Sequence, residues 1–237
     1  TVKEADRIIA ISERTKSDIV ELGGVDPDRI DIVYQSCSTH YQHTVNEDKK
    51  QEVNARYLLP ARYIVSVGTI EERKNILLAV KALHRLPDDL ALVVVGHSTP
   101  YAEKVKRYVE AHGLSQRVSF LHDVPNADLP AIYQMAEACV YPSRYEGFGI
   151  PVIEAIQSGL PVVACTGSCL AEAGGADSLY VGPDDEESMA RAIMQVVKGA
   201  EGREERIARS REYIRRFEGN DVAAQVLHVY RGVRGEG

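Results

Sequence analysis

From Arg62 onward, hydrophobic and polar positions follow two alternating periods. Six short runs, at 63–68, 90–96, 117–121, 138–143, 161–165 and 178–182, are apolar almost throughout. Such runs predict parallel strands buried on both faces, where no polar alternation survives. Between them apolar residues recur three or four positions apart, the spacing of one helix face. Ile76, Val80 and Leu83 do so after Asn75, and Val105, Tyr108 and Val109 after Thr99-Pro100, with Gly113 as the stop. Leu129, Ile132, Tyr133 and Ala136 follow Asn126. Met189, Ala192, Ile193 and Val196 follow Asp184, whose Glu187 three residues on is placed as in a capping box. Strand alternating with helix predicts an α/β fold, a doubly wound Rossmann-like parallel sheet of about six strands with helices on both faces. Ligands of such sheets bind beyond the C-terminal strand ends, near the switch in strand order.

Outside this core the pattern is shorter. Ala5-Asp6-Arg7-Ile8-Ile9-Ala10-Ile11 carries a short strand signal, and Ser12 caps a helix that runs to about Leu22 and stops at Gly23-Gly24. Asp26-Pro27-Asp28 reads as a turn before a second strand, Ile30-Asp31-Ile32-Val33-Tyr34. Residues 36–58 are polar and rich in His, Gln and Lys, and predict a linker and one poorly periodic helix. After Gly199 a charged helix is expected over about 203–217. Asn220 then starts a C-terminal helical tail carrying Val222, Val226, Leu227, Tyr230 and Val233.

The 237 residues are enough for one good core and part of a second domain. Net charge is −7, which argues against a basic nucleic-acid-binding surface. No apolar run is long enough to span a bilayer and no signal peptide is visible, so a cytoplasmic location is expected. The cysteines are Cys37, Cys139, Cys165 and Cys169; their placement predicts buried thiols in a reducing compartment. Cys165 and Cys169 are also of metal-ligand type, but no second Cys or His pair stands at a zinc-site spacing.

The densest chemistry lies at 143–154, Ser-Arg-Tyr-Glu-Gly-Phe-Gly-Ile-Pro-Val-Ile-Glu. It follows the apolar string Ala138-Cys139-Val140-Tyr141 and enters a helix with Pro151 at its first position, where a missing N–H costs nothing. Gly147-Phe148-Gly149 thus leads from a strand end to a helix N-terminus. Such a loop offers backbone N–H groups and a helix dipole to an anion or a sugar hydroxyl. Glu146 and Glu154 frame one pocket from two sides; the plain alternative puts both on a solvated helix face. By the dipole argument Glu154 stays ionised at neutral pH. A second cluster, Glu71-Glu72-Arg73-Lys74-Asn75, follows the strand end Gly68-Thr69. Lys74 can neutralise phosphate oxygens there and Arg73 can add a bidentate contact. Equally, both can pair with Glu71 and Glu72 on the surface, where such pairs contribute little. His97 and His122 stand at strand ends without a catalytic partner in sight. A dinucleotide fingerprint, a P-loop and a nucleophile elbow are all missing from the sequence.

The string at 143–154 has an E-x7-E, an EGFG core, a following proline and a Ser-Gly-Leu-Pro-Val-Val continuation at 158–163. It resembles the signature of retaining glycosyltransferases of the GT-B fold, group 1, family 4. The resemblance covers nearly all of the chain, which in turn covers only the C-terminal part of that architecture. It implies that residues 1–35 end an N-terminal acceptor domain, 36–58 are a linker, 59–199 bind the nucleotide-sugar donor, and 200–237 cross back toward the first domain. It implies a GDP- or UDP-linked hexose donor, no metal cofactor, and an acceptor held by the missing domain. Membrane contact, at the inner face, would come only through that domain. The catalytic residues it implies are Lys74 and Glu146. Thr69, Arg73, Lys74, Gly147, Phe148, Gly149 and Ile150 would hold the diphosphate. Glu146, Phe148 and Gly149 would read the transferred sugar, and Val124 and Glu154 the nucleoside, Glu154 through its ribose hydroxyls. Thr69 departs from the family by standing where an arginine is usual, a charge that Arg73 is placed to take over. Gly219 stands near the place of the family's usual tail tryptophan. Asp26-Pro27-Asp28 is formally the D-x-D by which many other glycosyltransferases hold a metal, but proline ahead of a strand suits a turn.

Two other classes fit the same sheet. One is another GT-B enzyme, such as a sugar phosphorylase or a sugar-nucleotide epimerase. A pyridoxal phosphorylase, though, needs a Schiff-base lysine in a context missing here. The other is a non-catalytic nucleotide-sugar-binding module, which has no need of both an intact E-x7-E and Lys74.

Overall fold

The computed structural model describes residues 2, 4–219 and 221–234. The first apolar run forms β1 (Ile8–Ala10), which pairs in parallel with β2 (Ile30–Ile32) in a separate two-stranded sheet. Between them runs α1 (Glu13–Gly23), capped by the Ser12 side chain and closed by Gly24 in the left-handed region. Asp26-Pro27-Asp28 is a turn: the Asp26 carboxylate accepts from the Asp28 N–H, and Pro27–Arg29 makes one 3-10 turn. The segment read as a linker holds a 3-10 turn, Thr39–Gln42, and α2 (Glu47–Tyr57).

The later runs form β3 (Tyr63–Val67), β4 (Ala91–Val95), β5 (Val118–Leu121), β6 (Ala138–Tyr141), β7 (Val162–Cys165) and β8 (Leu179–Val181). They make one parallel sheet in the order β5-β4-β3-β6-β7-β8. This is the Rossmann order, with its switch between β3 and β6. Successive side chains point to opposite faces. Ile64, Leu92, Val140 and Val163 enter one core, while Tyr63, Val93, Tyr141 and Ala164 enter the other. The first core is covered by α3 (Ile76–Ala82), α4 (Pro100–Ala111) and α8 (Glu186–Met194). The second is covered by α2, α5 (Leu129–Met135), α6 (Ile150–Gln157), α7 (Leu170–Gly174) and α9 (Arg203–Ile214). The chain ends in α10 (Val222–Arg234).

Several local readings change. Asp128, not Asn126, precedes α5. Asp185 caps α8 by accepting from the Ser188 N–H, while Asp184 pairs with Arg144 instead. Pro151 is the second residue of α6, still within the turn whose N–H groups lack helical partners. The five-residue α7 is too short to show a period and was not expected. Asn220, expected to start the last helix, lies outside the described residues.

One glycine sets how closely the strand ends approach at the switch. A Cβ on Gly96 would lie 2.0 Å from the Gly68 carbonyl oxygen. The Gly68 N–H donates to Val95 O at 2.8 Å, so the loop leaving β3 lies directly over the end of β4.

Candidate functional site

The switch brings two loops together, 68–75 after β3 and 142–149 after β6. Several bonds stitch them. The Arg144 N–H donates to Arg73 O at 2.9 Å, and Arg73 Nη1 donates to Tyr145 O at 2.8 Å. Asn75 sits in the left-handed region at φ 54°, a conformation that asparagine tolerates better than most residues. From there its Nδ2 donates to Pro142 O (3.1 Å) and Pro183 O (2.8 Å).

At the centre lies a charge cluster. Lys74 Nζ is 2.7 Å from Glu146 Oε1, and Arg73 Nη1 is 3.0 Å from Glu146 Oε2. The Tyr141 hydroxyl accepts from Lys74 Nζ at 2.5 Å and donates to Glu146 Oε1 at 3.2 Å. Of the surface pairing, only Arg73 with Glu71 forms; Lys74 turns inward, and Glu72 faces Lys104 instead. Burial alone would raise the Glu146 pKa. The Lys74 hydrogen bond and the charges of Lys74 and Arg73 outweigh it and hold the carboxyl below its usual range. Thr69 and Lys74 share a small cavity with Ser66, Gly68, Tyr141 and Ser143.

The glycine loop presents backbone rather than side chains. The Phe148 ring is buried against Tyr34 and Phe217, with centroids 5.5 and 5.2 Å away. Only its main chain is left to meet a ligand. A Cβ on Gly147 would lie 2.9 Å from Ile11 Cδ1 of the N-terminal segment. Gly149 holds φ at 111° and leads into Ile150, the first residue of α6.

Glu154 does not join this cluster. Its Oε2 accepts from the Tyr133 hydroxyl at 3.4 Å, and Tyr41, on the 3-10 turn of the linker, is its other neighbour. It is the fifth residue of α6, past the turn where a helix dipole acts strongly. Burial raises its pKa, and the two tyrosines offset only part of that. Burial, rather than the helix dipole, thus sets the direction in which this carboxyl moves. Val124 follows β5 and packs, half-buried, on the core that also contains Tyr133. His122 is held by Gly96 O (2.8 Å) and Ser98 Oγ (3.2 Å).

The structure therefore joins Arg73, Lys74 and Glu146 and gives Glu154 separate partners. Sequence reasoning missed Tyr141, Tyr133 and Tyr41. For Tyr141 and Tyr133 the signal was a tyrosine inside an otherwise apolar run, because a buried phenol usually finds a hydrogen-bond partner; Tyr41, in the polar segment 36–58, carried no such signal. The four cysteines are free thiols. Among the described residues, no group of three or more His, Cys, Asp or Glu side chains is placed to hold a metal ion.

Rossmann strand order, with Arg73 and Lys74 beside the switch, defines a doubly wound α/β domain. The sequence model of a family described as Glycosyl transferases group 1 matches residues 48–213, and the chain belongs to that family. It is 28% identical over 235 residues to the O-antigen chain mannosyltransferase B of Escherichia coli, covering 98% of this chain and 62% of that protein. It is 32% identical over 230 residues to the O-antigen chain mannosyltransferase RfbU of Salmonella typhimurium, covering 95% of this chain and 60% of that one. The crystal structure of Anabaena Alr3699/HepE in complex with UDP and glucose shares the fold. Its TM-score is 0.84 at 17% identity, over 98% of this chain and 64% of that one. The chain thus spans about three-fifths of the length of these two curated relatives.

Proposed function

We propose that this chain is the donor-binding part of a retaining hexosyltransferase of the family 4 type. It takes a hexose from a GDP- or UDP-linked donor and passes it to a glycan or lipid acceptor held by a preceding domain. The observation that carries this reading is the cluster of Lys74, Arg73 and Glu146 at the switch of a group 1 sheet. Cleaving a glycosyl–phosphate bond develops positive charge on the anomeric carbon and negative charge on the departing diphosphate. Preorganised cations and N–H groups aimed at the diphosphate lower that barrier. Lys74, Arg73 and the N–H groups of Gly147 to Ile150 supply them, with Thr69 completing the wall beside Lys74. When the two cations turn to phosphate oxygens, Glu146 is released to accept hydrogen bonds from sugar hydroxyls. Glu154 takes the ribose hydroxyls and Val124 borders the base. The charge is supplied by the protein itself, and no metal is assigned a role.

The named mannosyltransferase relatives make mannose the first sugar to test, and the UDP complex keeps both nucleotides in play. In this reading residues 1–35 end the acceptor domain, 36–58 link, 59–199 bind the donor and 200–237 return toward the first domain. The enzyme works on the cytoplasmic side of a membrane, which it meets only through that first domain. The test is a transfer assay on the longer protein containing this chain, with GDP-mannose and UDP-glucose. The product's anomeric configuration would be read by NMR. Transfer with the donor's configuration kept is expected. Donor binding without transfer would make the protein a binding module, and an inverted linkage would remove the retaining assignment.

A further inference from the structure

Three consecutive peptide groups between Glu146 and Gly149 have their carbonyls taken up by side chains. Glu146 O and Phe148 O lie 3.0 and 3.1 Å from Cys169 Sγ, which shares its proton between them. Between these two, Gly147 O accepts from Ser12 Oγ at 2.7 Å and from Thr15 Oγ1 at 3.2 Å. The described peptide bonds are all trans, so each carbonyl points away from the N–H of the residue that follows it. Holding these three oxygens therefore sets the directions of the Gly147, Phe148 and Gly149 N–H groups. Among the described residues, none of those three donates to a backbone carbonyl.

The holding groups are suited to the task. Ser12 is 0% exposed and Cys169 2% exposed, and hydrogen bonds away from water are stronger and better fixed. Burial pushes the Cys169 thiol up to about 11, so at neutral pH it keeps the proton it donates. Ser12 and Thr15 belong to the N-terminal segment, 135 and 132 residues from the glycine they hold. That segment is anchored nearby, because Glu172 of α7 accepts from the Glu13 N–H (2.9 Å) and the Tyr34 hydroxyl (2.7 Å).

We infer that Ser12, seconded by Thr15, and Cys169 are positioning residues for the donor loop. They hold its carbonyls so that the N–H groups of Gly147, Phe148 and Gly149 stay turned toward bound phosphate or sugar oxygens. The inference rests on the donor-binding reading and extends it to residues outside the E-x7-E string.

The test is calorimetric titration of this chain with UDP, GDP, uridine and guanosine. Ser12→Ala, Thr15→Val and Cys169→Ala each delete a donor; Ser12→Thr and Cys169→Ser keep one. Each donor-deleting variant is expected to weaken nucleoside-diphosphate binding about two- to tenfold while leaving the nucleoside unchanged. The conservative variants are expected to restore it. A merely structural role would lower melting temperature and move both ligands together. Thr15→Val leaves the α1 cap intact, because the capping bond comes from the Thr15 N–H, so it decides the matter even if Ser12→Ala does not fold. Lys74→Ala serves as the control. If Lys74→Ala is selective for the diphosphate and the donor-deleting variants are not, the positioning roles are overturned alone. If Lys74→Ala is not selective either, the donor reading falls and this inference with it.

Discussion

Glu146 and Glu154 belong to one short string, yet their surroundings drive them in opposite directions. Glu146, paired with Lys74 and Arg73, titrates below its ordinary value of 4.5. Its contribution to stability is present above that value and is lost as pH falls through its folded pKa. Glu154 titrates above 4.5 because it is buried without a cation. It therefore costs stability at neutral pH, and the cost fades as pH falls through its folded pKa. Replacing it with a neutral isostere removes the cost. Glu154→Gln is expected to raise the melting temperature of the ligand-free protein at pH 7 and to remove the stability gained on mild acidification. The same change should weaken nucleotide binding about ten- to a hundredfold, because hydrogen bonds to a charged acceptor contribute roughly 1.5–3 kcal/mol. It should also abolish the preference for ribo- over 2′-deoxynucleotides. Melting curves across pH and calorimetry with the matched nucleotides check both halves. A variant that keeps the full ribo preference places Glu154 away from the ribose.

At the scale of elements, the site depends on how closely β3 and β4 end together. Gly96→Ala puts a methyl group onto the Gly68 carbonyl, a backbone atom that cannot swing aside. The expected loss is about 2 kcal/mol or more, which for a protein of this size lowers the melting temperature by roughly 5 °C or more. A variant that melts like the wild type would show that the two loops are not so tightly held. The sheet itself was legible because buried parallel strands leave nearly continuous apolar runs, and its six strands fall where the six runs stand. Lys74 and Glu146 were legible because both stand at strand ends, where ligands of such sheets bind. What was not legible depends on distance along the chain. Tyr41 lies in a polar segment that reads as linker, and nothing local announces its closeness to Glu154. Ser12 reads only as a helix cap, because its second bond goes to a glycine 135 residues away. Cys169 reads as a buried thiol or a ligand until the loop it serves is seen beside it. The helix containing Leu170 is shorter than the period that reveals helices.

For the whole molecule, the described residues form a six-stranded sheet and a separate two-stranded one. β1 and β2 form a parallel pair with no third strand among the described residues, and two strands alone are marginal. Beside them α10 exposes Leu227 and Tyr230, and a cavity of apolar and charged residues, including Arg7 and Ile9, lies between. In the proposed reading this chain is one wall of a cleft, which binds donor but does not hold an acceptor against it. The chain alone is therefore expected to transfer no sugar, as a radiolabelled transfer assay would show; transfer to a natural acceptor would overturn the division of labour proposed here. The central claim is that Lys74, at the switch between β3 and β6, recognises a nucleotide diphosphate. Lys74→Ala will also unsettle Glu146, because removing one partner of a buried pair leaves a charge poorly compensated, so its folding is checked by melting first. The most direct measurement is then calorimetric titration of wild type and Lys74→Ala with UDP, GDP and their nucleosides. The account predicts saturable binding of one diphosphate by the wild type, tighter than its nucleoside and weakened by added salt. In Lys74→Ala the diphosphate advantage should collapse while nucleoside binding stays. Equal losses for diphosphate and nucleoside, or a wild type that binds neither diphosphate, would contradict it.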